Sequence, residues 1–296
     1  MTLHNSFGRD PYGAGPFLLA RKFGHKFKSL YRAARITRPV TWMLGPQYHT
    51  AVDLIEIDLT YLCNLKCNNC NRSSAQAPEA RHLSLDQLKE FVKQSLLQER
   101  DWRRIRLLGG EPTLYPHFHE AIVMLEQLRD RTPNLLIEVV TNGYGDKVQQ
   151  ALEKLPPHVA VENSQKSGPV QPHFGAFNMA PRDSWWHRLV DYKNGCEIIR
   201  SCGIGLTPTG YYHCAVAGGI DRVTGEGRGR TTLPTGDDQM RDLMNRTCPL
   251  CGRFRDGHFI PFNFRKPLLA QRTSPSWRRI YDAWSNRQSA ARGERS

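Results

Sequence analysis

Short apolar runs alternate along this chain with longer segments whose apolar residues recur every three to four positions. The strand-like runs cover residues 52–59, 105–108, 135–140 and 158–161. The helix-like segments cover residues 85–97, 118–128 and 147–155. Because a three-to-four spacing marks one face of a helix and a short apolar run fits a buried strand, the pattern predicts a βα repeat.

A cysteine triplet follows the first strand-like run, in the order Cys63-Asn-Leu-Lys-Cys67-Asn-Asn-Cys70. Three thiolates can hold three irons of a [4Fe–4S] cluster and leave the fourth iron open, whereas a structural metal site takes four protein ligands. The spacing therefore predicts a cluster with an open iron. The alternatives are a partial disulfide set or a zinc knuckle, which needs a fourth ligand, and the next His is His82 at a predicted helix start.

Two further polar loops follow the next two strand-like runs. Gly109-Gly110-Glu111-Pro112 ends the second run, and Thr141-Asn142-Gly143 ends the third. The order CxxxCxxC, GGEP and TNG, each behind a strand, resembles the radical S-adenosylmethionine (SAM) enzymes. The resemblance covers roughly residues 52–170.

The resemblance implies how the cofactors bind. In that family the three cysteines hold the cluster, and the amino and carboxylate groups of SAM chelate the fourth iron. Glycines let the backbone approach a ligand closely, a carboxylate suits an ammonium group, and barrel-type sheets place their sites at the carboxyl ends of strands. Asn69 stands where many members carry an aromatic residue near the adenine, so no adenine contact is implied there. The implied SAM-binding residues are Gly109, Gly110, Glu111, Thr141 and Asn142, with Asn163 and Ser164 as candidates for the ribose.

A second group of cysteines lies after residue 190. Residues 204–207 and 211–214 predict a hairpin that ends at Cys214. With the tight Cys248-Pro-Leu-Cys251 pair, this arrangement resembles the auxiliary-cluster module of the family, called SPASM or, with one cluster, twitch. Five cysteines are fewer than the SPASM pattern needs, so the resemblance implies one auxiliary [4Fe–4S] cluster. Its implied ligands are Cys196, Cys214, Cys248 and Cys251, and a different member pattern uses Cys202 and omits one of the last pair.

Cys202 is not in the first ligand set, and its role distinguishes two possible mechanisms. A dehydrogenase of this class passes an electron to its auxiliary cluster, whereas an epimerase takes a hydrogen atom back from a cysteine thiol. Cys202 is the candidate donor; otherwise it is a buried small side chain or a fifth nearby ligand candidate. Four thiolates also suit zinc, so a zinc site stays an alternative for the whole group.

The predicted fold class is α/β, an incomplete (β/α) TIM-like barrel of the radical SAM type plus a small cysteine-rich auxiliary module. The 296 residues, 39% of them hydrophobic, are enough for a main core and a small second one. About fifty residues separate Thr141 from Cys196, which leaves room for a fifth strand near residues 173–177 but not for a full barrel. The predicted domains are residues 1–50, a basic extension; 51–190, the partial barrel; 191–262, the auxiliary module; and 263–296, a basic tail.

The bridging region contains Arg182 and Trp185. An arginine there suits a carboxylate or phosphate on the substrate, and a tryptophan suits a ring. The alternative is that both residues only pack the join between the modules.

The net charge of +13 is concentrated at the two ends of the chain. Residues 1–52 contain eight Lys or Arg and one acidic residue, and residues 253–296 contain ten and three. Residues 17–36 predict a basic helix with an apolar stripe that includes Phe27 and Leu30. Such a helix lies on an anionic membrane, contacts a phosphate-bearing partner, or docks onto the barrel through its stripe.

Three local predictions concern the auxiliary region and the end of the chain. Gly218-Gly219 is predicted as a turn, residues 225–230 as a flexible loop and residues 287–296 as a disordered tail.

No apolar run approaches the roughly eighteen residues that span a bilayer, and no signal peptide is evident, so we expect a soluble, cytoplasmic protein.

The expected function is reductive cleavage of SAM to a 5′-deoxyadenosyl radical that abstracts a substrate hydrogen atom. The expected outcome is oxidation or epimerisation of a small polar metabolite such as a sugar or aminocyclitol, with flavodoxin or ferredoxin as electron donor. One alternative is radical modification of a ribosomally made peptide. An alternative of another class is a non-catalytic iron–sulfur protein that binds nucleic acid or a membrane through the basic ends.

Overall fold

The described strands of the chain form one six-stranded sheet. The computed structural model describes residues 30–164, 178–194, 196–256 and 273–293, together with Gly24, Phe27, Lys166 and Pro169. The strands in these residues are β1 (Leu54–Thr60), β2 (Arg104–Gly109), β3 (Leu136–Thr141), β4 (Ala160–Asn163), β5 (Ile204–Thr207) and β6 (Gly210–Tyr212). Their order is β4-β3-β2-β1-β5-β6, with β1 to β5 parallel and β6 antiparallel to β5.

Helices connect the parallel strands and continue after the hairpin. The α-helices are α1 (Arg38–Leu44), α2 (Leu85–Leu97), α3 (Phe118–Glu126), α4 (Asp146–Glu153), α5 (Glu197–Ser201), α6 (Ala215–Thr224), α7 (Arg241–Thr247), α8 (Gly252–Asp256) and α9 (Pro275–Gly293). Short 3-10 helices lie at Pro112–Leu114, Gln127–Arg129, Pro181–Asp183, Trp185–Leu189 and Tyr192–Asn194. Because α2, α3 and α4 each follow one of the first three strands, the predicted βα repeat is confirmed.

The boundaries of α2 match the prediction residue for residue, and local chemistry explains why. The Ser84 hydroxyl accepts a hydrogen bond from Gln87 N, and the Gln87 side chain accepts one from Ser84 N. This capping box satisfies backbone groups that the first turn of a helix leaves unpaired.

The first strand separates an apolar face from a charged one. Ile55, Ile57 and Leu59 are fully buried and join the hydrophobic core. Glu56 and Asp58 alternate with them and therefore point to the opposite face, here called the inner face. The carboxyl end of β1 leads directly into the cysteine triplet.

The predicted hairpin belongs to the same sheet as the βα repeat. Ile204 pairs with Ile55 and Gly205 with Glu56, so β5 continues the sheet at the free edge of β1. The domain boundary near residue 190 stays a prediction, and the sheet runs across it.

The prediction of a turn at Gly218-Gly219 is wrong, because both glycines lie inside α6. A Cβ atom on Gly218 would lie 2.4 Å from Thr207 Cγ2, and one on Gly205 would lie 2.3 Å from Ala215 N. The glycines therefore let α6 pack directly on the inner face of β5. The two glycines of α6 allow the helix to approach β5 closely, and they do not reverse the direction of the chain.

The predicted disordered tail is also wrong as far as Gly293, because residues 275–293 form α9. Trp277 is buried, and its indole Nε1 donates to Leu250 O at 2.7 Å. Arg287 Nη2 donates to Val223 O at 2.6 Å, at the end of α6. Contacts with distant parts of the chain stabilise this helix, and local composition does not reveal them.

Two predicted segments fall largely outside the described residues. The fifth strand near residues 173–177 lies outside them, as does most of the basic helix over residues 17–36, of which residues 30–35 are described and helical. Among the helices that the structure describes, none combines the length and the apolar character needed to cross a membrane.

Candidate active site

The cysteine triplet lies on a tight loop at the carboxyl end of β1. Cys67 is buried, while Cys63 and Cys70 are partly exposed. Cys70 N donates to Cys67 O at 3.3 Å, and the Gln76 amide donates to Cys67 O at 2.9 Å and to Asn68 O at 2.7 Å. These hydrogen bonds fix the backbone of the loop at the carboxyl end of β1, where the site was predicted.

The GGEP loop packs directly against the residues that precede Cys63. Gly110 N donates to Thr60 O at 2.7 Å, and Glu111 N donates to Leu62 O at 2.8 Å. A Cβ atom on Gly109 would lie 2.3 Å from Thr60 O, and one on Gly110 would lie 2.1 Å from Leu62 O. Gly109 also has a φ of 124°, which residues with side chains rarely adopt. Both glycines are therefore required for the two loops to meet.

We expect Gly110→Ala to destabilise the protein and to loosen the cysteine loop. The added methyl group overlaps backbone, so the chain must move, at a cost of about 1–3 kcal/mol or more. Thermal unfolding of Gly110→Ala measures this cost. Gly236→Ala is the matched control, because a Cβ atom there has its nearest neighbour at 3.8 Å. Equal melting temperatures of the two variants would contradict the close approach.

Glu111 connects the carboxyl ends of β1, β2 and β3: its backbone contacts Leu62 after β1, and its side chain contacts the end of β3. Its carboxylate is fully buried and accepts hydrogen bonds at 2.8 Å from Thr113 Oγ1, Thr141 Oγ1 and Asn142 N. Protein donors thus surround this carboxylate. Its contact with the amino group of SAM stays a prediction, while its position between the loops is observed.

Asn142 links the TNG loop to the cysteine loop. Its amide donates to Asn64 Oδ1 at 2.8 Å and lies 3.9 Å from Cys63 Sγ, and its Oδ1 accepts from Tyr144 N at 2.8 Å. The Asn64 amide in turn donates to Tyr144 O at 2.6 Å. The structure therefore brings the predicted residues of the first and third loops into one site.

The two ribose candidates lie beside the same loop. Ser164 Oγ donates to Thr141 O at 2.7 Å. Asn163 packs beneath Gly143, where a Cβ atom would lie 2.2 Å from Asn163 Nδ2. Both residues are near Thr141 and Asn142, and their contact with a ribose stays a prediction.

Sequence reasoning missed that α9 reaches the cysteine loop. The hydroxyls of Ser73 and Tyr281 lie 2.9 Å apart, and Tyr281 donates to Asn178 Oδ1 at 2.9 Å. Burial raises the pKa of Tyr281 above its ordinary value. More than two hundred positions separate Ser73 from Tyr281, so no local pattern signals the contact.

Four of the five later cysteines line a single buried cavity. Burial raises the pKa of each thiol, to about 12 for Cys251. In such a buried site a thiolate is stable only beside a positive charge, and a bound metal supplies that charge. The four residues are Cys196, Cys214, Cys248 and Cys251, the set that the resemblance implied.

His213 lines the same cavity and was missed from the sequence. Its Nε2 lies 3.5 Å from Cys248 Sγ, and burial lowers its pKa to about 4. It directly precedes Cys214, at the end of the hairpin. A His beside a predicted Cys ligand was the available signal.

Cys202 is not among the residues that line this cavity. Burial raises its pKa to about 12, and its thiol contacts the Glu56 carboxylate near Arg106. The alternative ligand set that includes Cys202 therefore has no support from its position.

The two bridging residues have different surroundings. Arg182 Nε donates to Ser276 Oγ at 3.0 Å, which joins the 3-10 helix at Pro181–Asp183 to α9. Trp185 has an exposed side chain. The packing interpretation is thus supported for Arg182, and a substrate contact of either residue stays a prediction.

The chain matches one protein family. The family model described as "Radical SAM superfamily" matches residues 57–205, which includes the cysteine triplet, the GGEP and TNG loops and the first two residues of β5. The chain belongs to the radical SAM superfamily. Enzymes of this superfamily use a [4Fe–4S] cluster and SAM, and the loop of Cys63, Cys67 and Cys70 has the donor chemistry for that cluster.

The curated proteins that are similar to the radical SAM part of this chain include GTP 3′,8-cyclases. The Nautilia profundicola protein is 29% identical over 139 residues, which is 42% of each chain. The Sulfurimonas denitrificans protein is 31% identical over 104 residues, 34% of this chain and 31% of that protein. The chain thus matches less than half the length of these relatives.

BtrN and SuiB are among the solved structures that are similar to this chain, both at low scores. BtrN in complex with AdoMet and 2-DOIA has a TM-score of 0.37 at 15% identity, over 75% of this chain and 89% of that one. SuiB from Streptococcus suis, bound to S-adenosylmethionine, has a TM-score of 0.30 at 18% identity, over 49% and 33%. Neither likeness is close enough to transfer a substrate.

Proposed function

We propose that this protein oxidises a small polar metabolite that carries an amino group. When bound, the cluster and SAM supply a 5′-deoxyadenosyl radical, which can remove a hydrogen atom that acids and bases cannot. The observation that carries the proposal is the presence of two separate cysteine sites in one chain, the open triplet after β1 and the buried set of four.

The four buried cysteines around one cavity support an auxiliary [4Fe–4S] cluster. The cysteine pattern resembles the auxiliary module of the superfamily, which favours iron. Four thiolates also suit zinc, and metal analysis distinguishes the two. With such a cluster, the substrate would give a hydrogen atom to the 5′-deoxyadenosyl radical, an electron to the auxiliary cluster and a proton to solvent, which together balance the loss of two hydrogens.

The charge of the inner face supports an amino-bearing substrate. Arg106 pairs with Glu56 at 2.9 Å, with Glu138 at 2.7 Å and with Glu162. Arg72 pairs with Asp58 at 3.0 Å and Glu56 at 3.3 Å. Burial raises the pKa of Asp58 to about 6, and Arg222 also acts on it, so the surplus negative charge lies around Arg106. Three carboxylates surround that one guanidinium, which favours a cation such as a protonated amine.

The most exposed of these acids is Glu162, whose side chain is 34% exposed. We expect Glu162→Gln to raise the KM for an amino-bearing substrate about tenfold and to leave kcat almost unchanged, because one charged contact is lost. Coupled formation of 5′-deoxyadenosine with a panel of aminosugars and aminocyclitols measures both constants. Glu153→Gln on α4 is the control. Equal activity with neutral polyols would contradict the proposal that the substrate carries an amino group.

An oxidation needs no hydrogen donor, whereas an epimerisation needs one, and Cys202 is the candidate. Its partner Glu56 belongs to the same inner-face charges as Arg106, so the thiol lies beside the residues that we propose bind the substrate. We expect Cys202→Ala to retain its iron and its turnover, as measured by metal analysis and by coupled 5′-deoxyadenosine formation. Retained iron with lost turnover would restore the hydrogen-donor role, and deuterium uptake by the substrate from heavy water would support epimerisation.

GTP is a second candidate substrate, because the curated relatives are GTP 3′,8-cyclases. Of the described residues, Glu138 and Glu162 would repel a triphosphate with their negative charges, which disfavours GTP.

A peptide substrate and a non-catalytic role are the remaining alternatives. Consumption of SAM only with GTP or with a peptide would replace our proposal, and salt-dependent nucleic-acid binding without SAM cleavage would favour the non-catalytic role.

The experiment that tests the proposal is anaerobic incubation with SAM, an electron donor such as flavodoxin, ferredoxin or dithionite, and the panel of candidate substrates. We expect one amino-bearing compound to stimulate 5′-deoxyadenosine formation and to lose two hydrogens. No stimulation by any amino-bearing compound, together with stimulation by GTP, would overturn it.

A further inference from the structure

A histidine shares the buried cavity of the four later cysteines. His213 is 1% exposed and lines that cavity. Its Nε2 atom lies 3.5 Å from the Cys248 sulfur, a hydrogen-bonding distance for sulfur. His213 directly follows β6 and directly precedes Cys214, the residue at the start of α6. The backbone that carries one proposed cluster ligand therefore also carries a ring that contacts another.

The chemistry of the two groups fixes the direction of this hydrogen bond. A cysteine that ligates a metal is a thiolate, which has no proton and can only accept. A neutral imidazole donates from one ring nitrogen and accepts at the other. Nε2 of His213 then carries the hydrogen and donates it to Cys248 Sγ.

The other ring nitrogen argues against His213 as a metal ligand. A ligating histidine almost always donates its second N–H to a carboxylate, a carbonyl or water. Nδ1 of His213 is buried, and among the described residues it has no hydrogen-bond partner. The four cysteines already supply one ligand for each iron of a [4Fe–4S] cluster. The position of His213 therefore suits a residue that acts on a ligand.

A hydrogen bond to a cluster thiolate stabilises the reduced cluster more than the oxidised one. Reduction adds one negative charge, and hydrogen bonds to the sulfur atoms are among the factors that set the reduction potential. In a buried cavity such a contact is electrostatically stronger than in water. Loss of the donor would therefore make the cluster harder to reduce.

We propose that His213 donates a hydrogen bond to Cys248 and thereby raises the reduction potential of the auxiliary cluster. The inference rests on the proposed function, in which the substrate radical loses one electron to this cluster and one proton to solvent. An oxidised flavodoxin or ferredoxin then takes that electron from the cluster. His213 acts through Cys248, so it is a positioning residue, and it neither gains nor loses a proton in this step.

The test is a potentiometric titration of the auxiliary cluster in the full-length protein, followed by electron paramagnetic resonance. Every sample carries Cys63→Ala, so that the auxiliary cluster is the one titrated. We expect His213→Phe, which keeps a ring but no donor, to lower the ratio of reduced to oxidised cluster about tenfold at a given potential. For a one-electron couple this is a shift of about 59 mV to lower potential. The iron content should stay at about four per chain.

Two further variants control for changes in packing. His213→Gln returns an N–H close to the position of Nε2 and should recover most of the potential. His117→Phe should leave the potential unchanged, because His117 is half exposed and lies just before α3. An unshifted potential in His213→Phe with its iron retained would overturn this inference alone. Loss of the iron from both His213 variants would also overturn it, because His213 would then be a ligand.

A second measurement needs no substitution at His213. With histidine labelled by a nitrogen isotope, the reduced cluster should show the weak nitrogen coupling of a hydrogen-bonded ring. The strong coupling of a ligated nitrogen, or no coupling, would contradict the hydrogen bond. Zinc in place of the auxiliary iron in the unaltered protein would instead overturn the proposed function, and this inference with it.

Discussion

Replacing Cys63 with alanine is expected to abolish SAM cleavage, with 5′-deoxyadenosine formation lower by about 10³-fold. Three thiolates leave one iron open for SAM, and with one thiolate missing the loop can no longer hold a cluster in that form. Asn142 and the backbone around Leu65 hold Cys63 in its position, so the effect arises from the missing ligand. The measurement is 5′-deoxyadenosine formation with dithionite as reductant.

Cys202→Ala is the control for Cys63→Ala, because Cys202 lines neither cysteine site. Metal analysis of Cys63→Ala should find about four irons, held by the auxiliary cysteines. Undiminished cleavage of SAM by Cys63→Ala would contradict the assignment of the triplet.

Replacing Cys248 with alanine is expected to remove the auxiliary cluster and to abolish substrate oxidation. Cys248 is buried and lines the same cavity as Cys196, Cys214 and Cys251, and its burial and these neighbours raise its pKa. Iron content should fall by about half, and substrate oxidation should fall at least about 10²-fold. SAM cleavage without substrate should stay within a few-fold of the original rate, because the triplet is untouched.

A second variant distinguishes loss of the auxiliary cluster from misfolding of the protein. Cys251→Ser retains a side chain of similar size in the same cavity. Both variants should melt cooperatively and lose the same iron. Loss of zinc in place of iron, or full substrate oxidation after loss of the iron, would contradict an electron-accepting role.

The βα repeat could be predicted from the sequence because its signals are local. The apolar run of β1, the capping box of α2 and the polar loops at strand ends lie within a few residues of each other. The ligand residues of the triplet could be predicted for the same reason, since Cys63, Cys67 and Cys70 share one loop.

The missed features depend on contacts between distant residues. The pairing of β5 with β1 joins segments about 150 residues apart, and hairpin signals alone do not show which sheet the hairpin enters. The helix at α9 is stabilised by Trp277 and Arg287 against the auxiliary region, although its composition resembles that of a tail. Exposure of Trp42 likewise depends on which side of α1 the core occupies.

The measurement that tests the central claim most directly is the iron, sulfide and zinc content of the anaerobically reconstituted protein. Two [4Fe–4S] clusters predict about eight irons and eight sulfides per chain, with no zinc. About four irons with one zinc would contradict the account, because the four buried cysteines would then form a structural site and the proposed electron acceptor would be absent.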